Sequence, residues 1–221
     1  MKLVFYSGGD PNDNNRVDKK LLTLANTENP RMAFIPACHY HSEEDYIDFI
    51  DQFHPHGVRQ FMKWDIDTQI SPVVKNEVFE SDIIHLGGGN TFYFLKHLRK
   101  LKLLDDLKKW VLKGGVLSGL SAGAIIMTSD IKTAGFPSFD CDDNDENIKN
   151  LKAMGLVNFK FFPHYKNSKR YDQELMAYSR KLNEPVYACP DGSGIIINSH
   201  EVIFSGKVAC FLRGNKFFIN K

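Results

Sequence analysis

Short apolar runs alternate along the chain with longer amphipathic ones. The runs at 2–6 (KLVFY), 31–36 (RMAFIP), 57–62 (GVRQFM), 82–89 (DIIHLGGG) and 114–121 (GGVLSGLS) have strand length, and several run into Gly or Pro. Between them, 15–26, 42–53, 91–113 and 122–127 have helical length or character. In 42–53, Tyr46, Ile47, Phe49, Ile50 and Phe53 recur with a period near 3.6, and Ser42 followed by Asp45 has the form of a capping box. Strand and helix in alternation predict an α/β fold of three layers, a mainly parallel sheet with helices on both faces.

The pattern changes after residue 135. The acidic, polar stretch 136–150 predicts a long loop. Beyond it come an apolar run at 158–165, a helix near 169–182, and a closing series of short runs beginning VYACP, GSGIIIN, EVIFS, KVACFLR and KFFIN. Turns at NSHE, SGK and RGNK predict that the last four pair as antiparallel hairpins at one sheet edge. No internal repeat or low-complexity tract interrupts the chain, and residues 1–221 are expected to form one domain.

Charge narrows the possible partners. Lys and Arg (28) nearly balance Asp and Glu (27) over 221 residues, so no broad field favours nucleic acid or an anionic membrane. A small-molecule partner is expected, with the chain a monomer or weak homodimer. The N-terminal apolar run is too short for a signal segment and no later run has membrane-spanning length, which predicts a cytoplasmic protein. Cys38, Cys141, Cys189 and Cys210 are far apart without metal-ligand spacing and are expected to be reduced thiols. His39, His41, His54 and His56 have irregular spacing in polar settings and read as solvated, and His97 and His200 read as surface residues; no metal or cofactor is expected.

Two short segments carry candidate chemistry. Gly119-Leu120-Ser121-Ala122-Gly123 satisfies G-x-S-x-G between an apolar strand and a small-residue helix start, the context of a nucleophile elbow. The alternative is a tight turn in which the serine only packs. Gly87-Gly88-Gly89-Asn90-Thr91 follows a second strand and opens a second helix, and its backbone N–H groups are free of side chains that would block an anion. It serves as an oxyanion hole if Ser121 is a nucleophile. Phosphate binding is disfavoured, since no Lys-Ser/Thr follows and G-x-G-x-x-G is absent.

Together GGGNTFYFL (87–95) and GLSAGA (119–124) resemble the peptidase E family of serine peptidases, the α-aspartyl dipeptidases, with cyanophycinase and class I glutamine amidotransferases as wider kin. The resemblance implies that Ser121 attacks a peptide carbonyl and that His164, in the only PH pair downstream, is its base. It implies an oxyanion hole from Gly88, Gly89 and Ala122. For the third member it points to Asp191, where family members can carry PEG; the aspartate that some members have about fifteen residues after the serine is replaced here by Phe136, and Asp140 or Asp142 remain alternatives. The implied substrate is a short peptide, a dipeptide with N-terminal aspartate in the first instance. Such a substrate calls for a cation: Lys166, Lys169 and Arg170 are the candidates near His164, with Asn90 and Thr91 as further substrate contacts. The acidic loop 140–146 could bind a free α-amino group or could equally exclude acidic substrates. A related hydrolase or aminopeptidase of other specificity, cyanophycin-type β-aspartyl peptides included, and a non-catalytic metabolite-binding module remain alternatives.

Overall fold

In the computed structural model, which describes residues 1–68, 71–199 and 201–219, the apolar runs become strands β1 (Lys2–Tyr6), β2 (Arg31–Ile35), β3 (Gln60–Lys63), β4 (Ile83–Leu86) and β5 (Val116–Leu120). They lie parallel in the order β3-β2-β4-β5-β1. The helices are α1 (Pro11–Ala25), α2 (Ser42–Phe53), α3 (Pro72–Phe79), α4 (Thr91–Lys100), α5 (Leu103–Leu112), α6 (Ala122–Met127) and α7 (Lys169–Ser179). Strand residues alternate between two cores, as a sheet covered on both faces requires. Leu3, Phe5, Ile84, Leu86 and Leu117 pack with α4, α5 and α6. Val4, Tyr6, Phe34, Ile83 and Val116 pack with α1 and α2.

Several boundaries differ from the sequence expectation. The stretch 91–113 breaks into two helices at Leu101–Lys102, where Lys102 is left-handed with φ 57°. The five-residue step from Leu98 to Leu103 interrupts the 3.6 period, so one straight helix would not bury both ends. Helix α3 was not anticipated: its β-branched valines obscure the period, although Ser71 accepts from the Val74 N–H and Pro72 occupies the first turn. Ser42 is the first residue of α2, after His41, and its hydroxyl accepts a hydrogen bond from Lys63 rather than capping the helix.

The C-terminal strands are β6 (Lys160–Phe162), β7 (Val186–Ala188), β8 (Gly194–Asn198), β9 (Glu201–Ser205), β10 (Ala209–Leu212) and β11 (Asn215–Phe218). Two hairpins form, but not at one edge. β8 and β9 extend the large sheet antiparallel beside β1, whereas β10 and β11 join β7 and β6 in a second, four-stranded sheet. The SGK turn therefore leads from one sheet to the other. Ala209 and Phe211 find their partners there, in a third core with Phe162, Tyr171, Leu175 and Val186. Among the described residues no helix is long and apolar enough to cross a membrane.

Candidate active site

The carboxyl ends of β4, β5 and β1 meet at one place, which is where open α/β sheets carry their ligands. Ser121 stands there, between the end of β5 and the start of α6, with φ 48° and ψ −104°. That backbone is strained for a non-glycine residue, by roughly 1–3 kcal/mol. It is held in place by the Ser121 N–H donating to the Tyr6 carbonyl at 3.0 Å and the Gly123 N–H to that of Gly87 at 3.1 Å. The two glycines of the motif have a steric cause. A Cβ on Gly119 would lie 2.5 Å from the Gly123 carbonyl carbon, and one on Gly123 would lie 2.3 Å from the Leu86 oxygen. The corner closes only without them.

His164 follows β6 and Pro163 with φ 54°, which turns its ring back across the sheet end. Its Nε2 lies 2.9 Å from Ser121 Oγ and its Nδ1 lies 2.7 Å from Asp191 Oδ1. About half of each side chain of this His–Asp pair is exposed, 47% and 51%, and Ser121 itself borders a cleft. Ser7, which the sequence reading passed over, fixes the loop: its hydroxyl accepts from the His164 N–H at 2.8 Å and donates to the Cys189 carbonyl at 2.6 Å. The Gly192 N–H donates to the Gly8 carbonyl at 2.9 Å and brings the Asp191 turn to the same place. A Ser-Gly-Gly directly after an apolar strand was the available signal.

The other carboxylates considered have different partners. Asp140 accepts from the Tyr171 hydroxyl, and Asp142 accepts from the Thr91 N–H at 2.8 Å. Among the described residues, no hydrogen-bond acceptor takes the N–H groups of Gly88, Gly89 or Ala122. Beside Ser121 and His164 opens a cleft of about 140 Å³, walled by Thr91, Phe136, Asp140 and Asp142.

The remaining predicted site residues are dispersed. Asn90 caps α4, accepting from the Tyr93 N–H at 3.0 Å while its amide donates to the Asp143 carbonyl at 2.8 Å. Arg170 places its guanidinium 3.3 Å from the centre of the Phe139 ring, and neither it nor Lys166 lines the cleft. His97, expected at the surface, is buried on α4 with its ring 4.5 Å from that of Tyr93. His85 is buried in β4 with Nδ1 2.8 Å from Ser118 Oγ. His39, His41 and His54 are exposed and His56 is half-buried, with His39 Nδ1 2.8 Å from Asp67; His200 lies outside the described residues. The four cysteines are free, Cys189 and Cys210 being buried and Cys141 exposed at the cleft.

Fold and site together have the form of an α/β enzyme that uses a serine for acyl transfer. Residues 3–204 match the model of Peptidase family S51, and the chain belongs to that family of serine-type peptidases. It is 30% identical over 142 residues to an uncharacterized peptidase of Listeria monocytogenes, covering 63% of this chain and 67% of that one. It is also 30% identical over 139 residues to a probable alpha-aspartyl dipeptidase of Drosophila melanogaster, covering 58% of this chain and about half (54%) of the relative. The fold is similar to that of a peptidase from an acI-B1 Actinobacterium, with TM-score 0.74 and 15% identity over 99% of this chain and 93% of that one.

Proposed function

We infer that the chain hydrolyses short peptides through an acyl-enzyme on Ser121. The observation that carries this reading is the single imidazole bridging Ser121 Oγ at 2.9 Å and Asp191 Oδ1 at 2.7 Å. His164 Nε2 takes the serine proton as Oγ attacks the carbonyl, and Asp191 keeps Nδ1–H oriented and stabilises the imidazolium. The carbonyl oxygen becomes anionic in the tetrahedral intermediate, where N–H groups of the Gly88–Gly89 strip and of Ala122 receive it without side-chain reorganisation. The imidazolium then protonates the departing amine, and water activated by the same His164 releases the acid product.

The cleft favours a free amino terminus over a substrate carboxylate. Among the described residues lining it there is no Lys or Arg, while Asp140 and Asp142 each have one oxygen left over from the bonds above. Two carboxylates attract an ammonium and repel an aspartate side chain. The reading is therefore of a dipeptidase or aminopeptidase with a preference other than N-terminal aspartate, even though the name alpha-aspartyl dipeptidase occurs among its relatives.

The test is covalent. A fluorophosphonate should label wild-type protein at Ser121, should leave Ser121→Ala unlabelled, and should react about 10²–10⁴ times more slowly with His164→Ala. Labelling of His164→Ala at the wild-type rate would overturn the assignment of the base. Kinetics on Asp-X, Ala-X, Leu-X and β-linked dipeptides then rank the substrates.

A further inference from the structure

A second cavity, of about 340 Å³, is lined in part by the glycine strip. Gly88, Gly89 and Leu120, the neighbour of Ser121, are in its lining, so an occupant sits next to the residues proposed to hold the scissile carbonyl. We propose that this cavity is a specificity subsite for a basic side chain, lysine- or arginine-like, on a residue flanking the scissile bond. The proposal rests on the hydrolytic reading of Ser121 and names its substrate class.

The lining has the two parts that a long cationic side chain needs. Phe34 and Phe49, their rings stacked with centroids 5.0 Å apart, and Leu120 supply an apolar surface for the methylene stem. Asp10, Asp45 and Asp48 supply negative charge, and there is no Lys or Arg in the lining. Among the described residues these three carboxylates make no ion pair within 4.0 Å, and burial raises the affinity of Asp45 for protons, with Asp48 and Glu44 adding to it against the opposing charge of His41. A carboxylate so placed gains from an incoming cation.

His85 is an independent indication that a polar ligand belongs here. It is only 3% exposed, yet it lines the cavity; its Nδ1 is engaged by Ser118, and among the described residues nothing partners its Nε2. Burial lowers its pKa to about 3, so the ring is neutral and adds no competing charge. Gln52 lines the same cavity with its amide nitrogen committed to Asp18 at 2.7 Å, which leaves its carbonyl oxygen as an acceptor. A bare metal ion is a poorer occupant, because no three His, Cys, Asp or Glu side chains among the described residues converge on a metal site.

The experiment compares dipeptides identical except for charge, lysine against norleucine, placed in turn on each side of the bond. Wild type should favour lysine by at least about 10-fold in kcat/KM at one of the two positions. Asp45→Asn/Asp48→Asn should bring that ratio close to one; because the readout is a ratio, a general loss of activity cancels. Fluorophosphonate labelling of Ser121 keeps the two readings apart. An enzyme that is labelled and active but shows no lysine preference at either position, or keeps it in the double variant, overturns the subsite alone. Absence of both labelling and turnover overturns the hydrolytic reading and the subsite with it.

Discussion

Gly8→Ala adds one methyl group at the most sensitive point of the proposed triad. Its Cβ would lie 2.3 Å from His164 Cε1, 2.5 Å from Asp191 Oδ1 and 2.6 Å from His164 Nδ1, where ordinary contact begins at 3.4 Å. The backbone is tethered, since the Gly8 carbonyl accepts from the Gly192 N–H at 2.9 Å and the Ser7 hydroxyl is bonded to both the His164 N–H and the Cys189 carbonyl. The imidazole must therefore retreat by roughly 1 Å, a displacement of the size that costs about 10²-fold in rate. If the 2.7 Å bond to Asp191 is lost altogether, the loss approaches that of a misoriented imidazole, about 10⁴-fold. Gly8 is not among the residues with positive φ, so alanine is tolerated by the backbone itself, and the stability cost should stay within the ~1–3 kcal/mol of local overpacking. The assay is kcat/KM on the best dipeptide together with the fluorophosphonate labelling rate, with thermal unfolding as the control. A folded Gly8→Ala protein with wild-type turnover would refute the claim that the His164–Asp191 geometry carries the reaction.

Two other changes test separate parts of the structure. Gly89→Val should reduce kcat by roughly 10²–10³, because Gly89 has φ +124° and its Cβ would lie 2.9 Å from that of Ala37; full activity in a folded variant would remove the glycine strip from the oxyanion site. Asp18 is buried between α1 and α2, and burial raises its pKa from 3.8 to about 7 against the hydrogen bonds from Gln52 and Tyr6 that lower it. The raised value means that the folded state holds this proton more tightly than the unfolded chain, so stability falls as pH climbs from 3.8 to about 7 and the full penalty applies above that. Asp18→Asn should therefore stabilise the protein at pH 8 by up to about 4 kcal/mol and hardly at all near pH 4; urea unfolding that shows the same difference at both pH values would contradict it.

How much of this was legible in the sequence depended on range. Elbow and glycine strip each lie within a few consecutive residues at a strand end, so local spacing exposes Ser121, Gly88 and Gly89 as candidates. His164 and Asp191 needed the family resemblance, because a Pro-His pair carries no chemistry by itself and Asp191-Gly192 also reads as an ordinary turn. Ser7 and Gly8 escaped notice because their significance lies in contacts with residues more than 150 positions away. Lys166 and Arg170 were chosen for nearness to His164 along the chain, but nearness in sequence does not fix where a side chain ends up: Arg170 is taken up by the Phe139 ring, and neither residue lines the cleft. His97 misled for the converse reason: a polar residue among lysines and arginines reads as exposed, yet it falls on the buried face of α4.

On the proposed mechanism, the position of β1 also sets when the protein can become active during synthesis. β1 is an interior strand, between β5 on one side and β8 on the other, and the loop it anchors includes Cys189 and Gly192. Ser121 leaves the ribosome about 70 residues before Asp191, roughly 4–14 s at ordinary translation rates. Throughout that interval the strand and elbow that present the serine can form, but His164, the proposed base, has neither Asp191 nor its anchoring turn. On the proposed mechanism a growing chain therefore displays an unactivated hydroxyl, and the His164–Asp191 pair that would activate it is complete only once residue 191 has emerged.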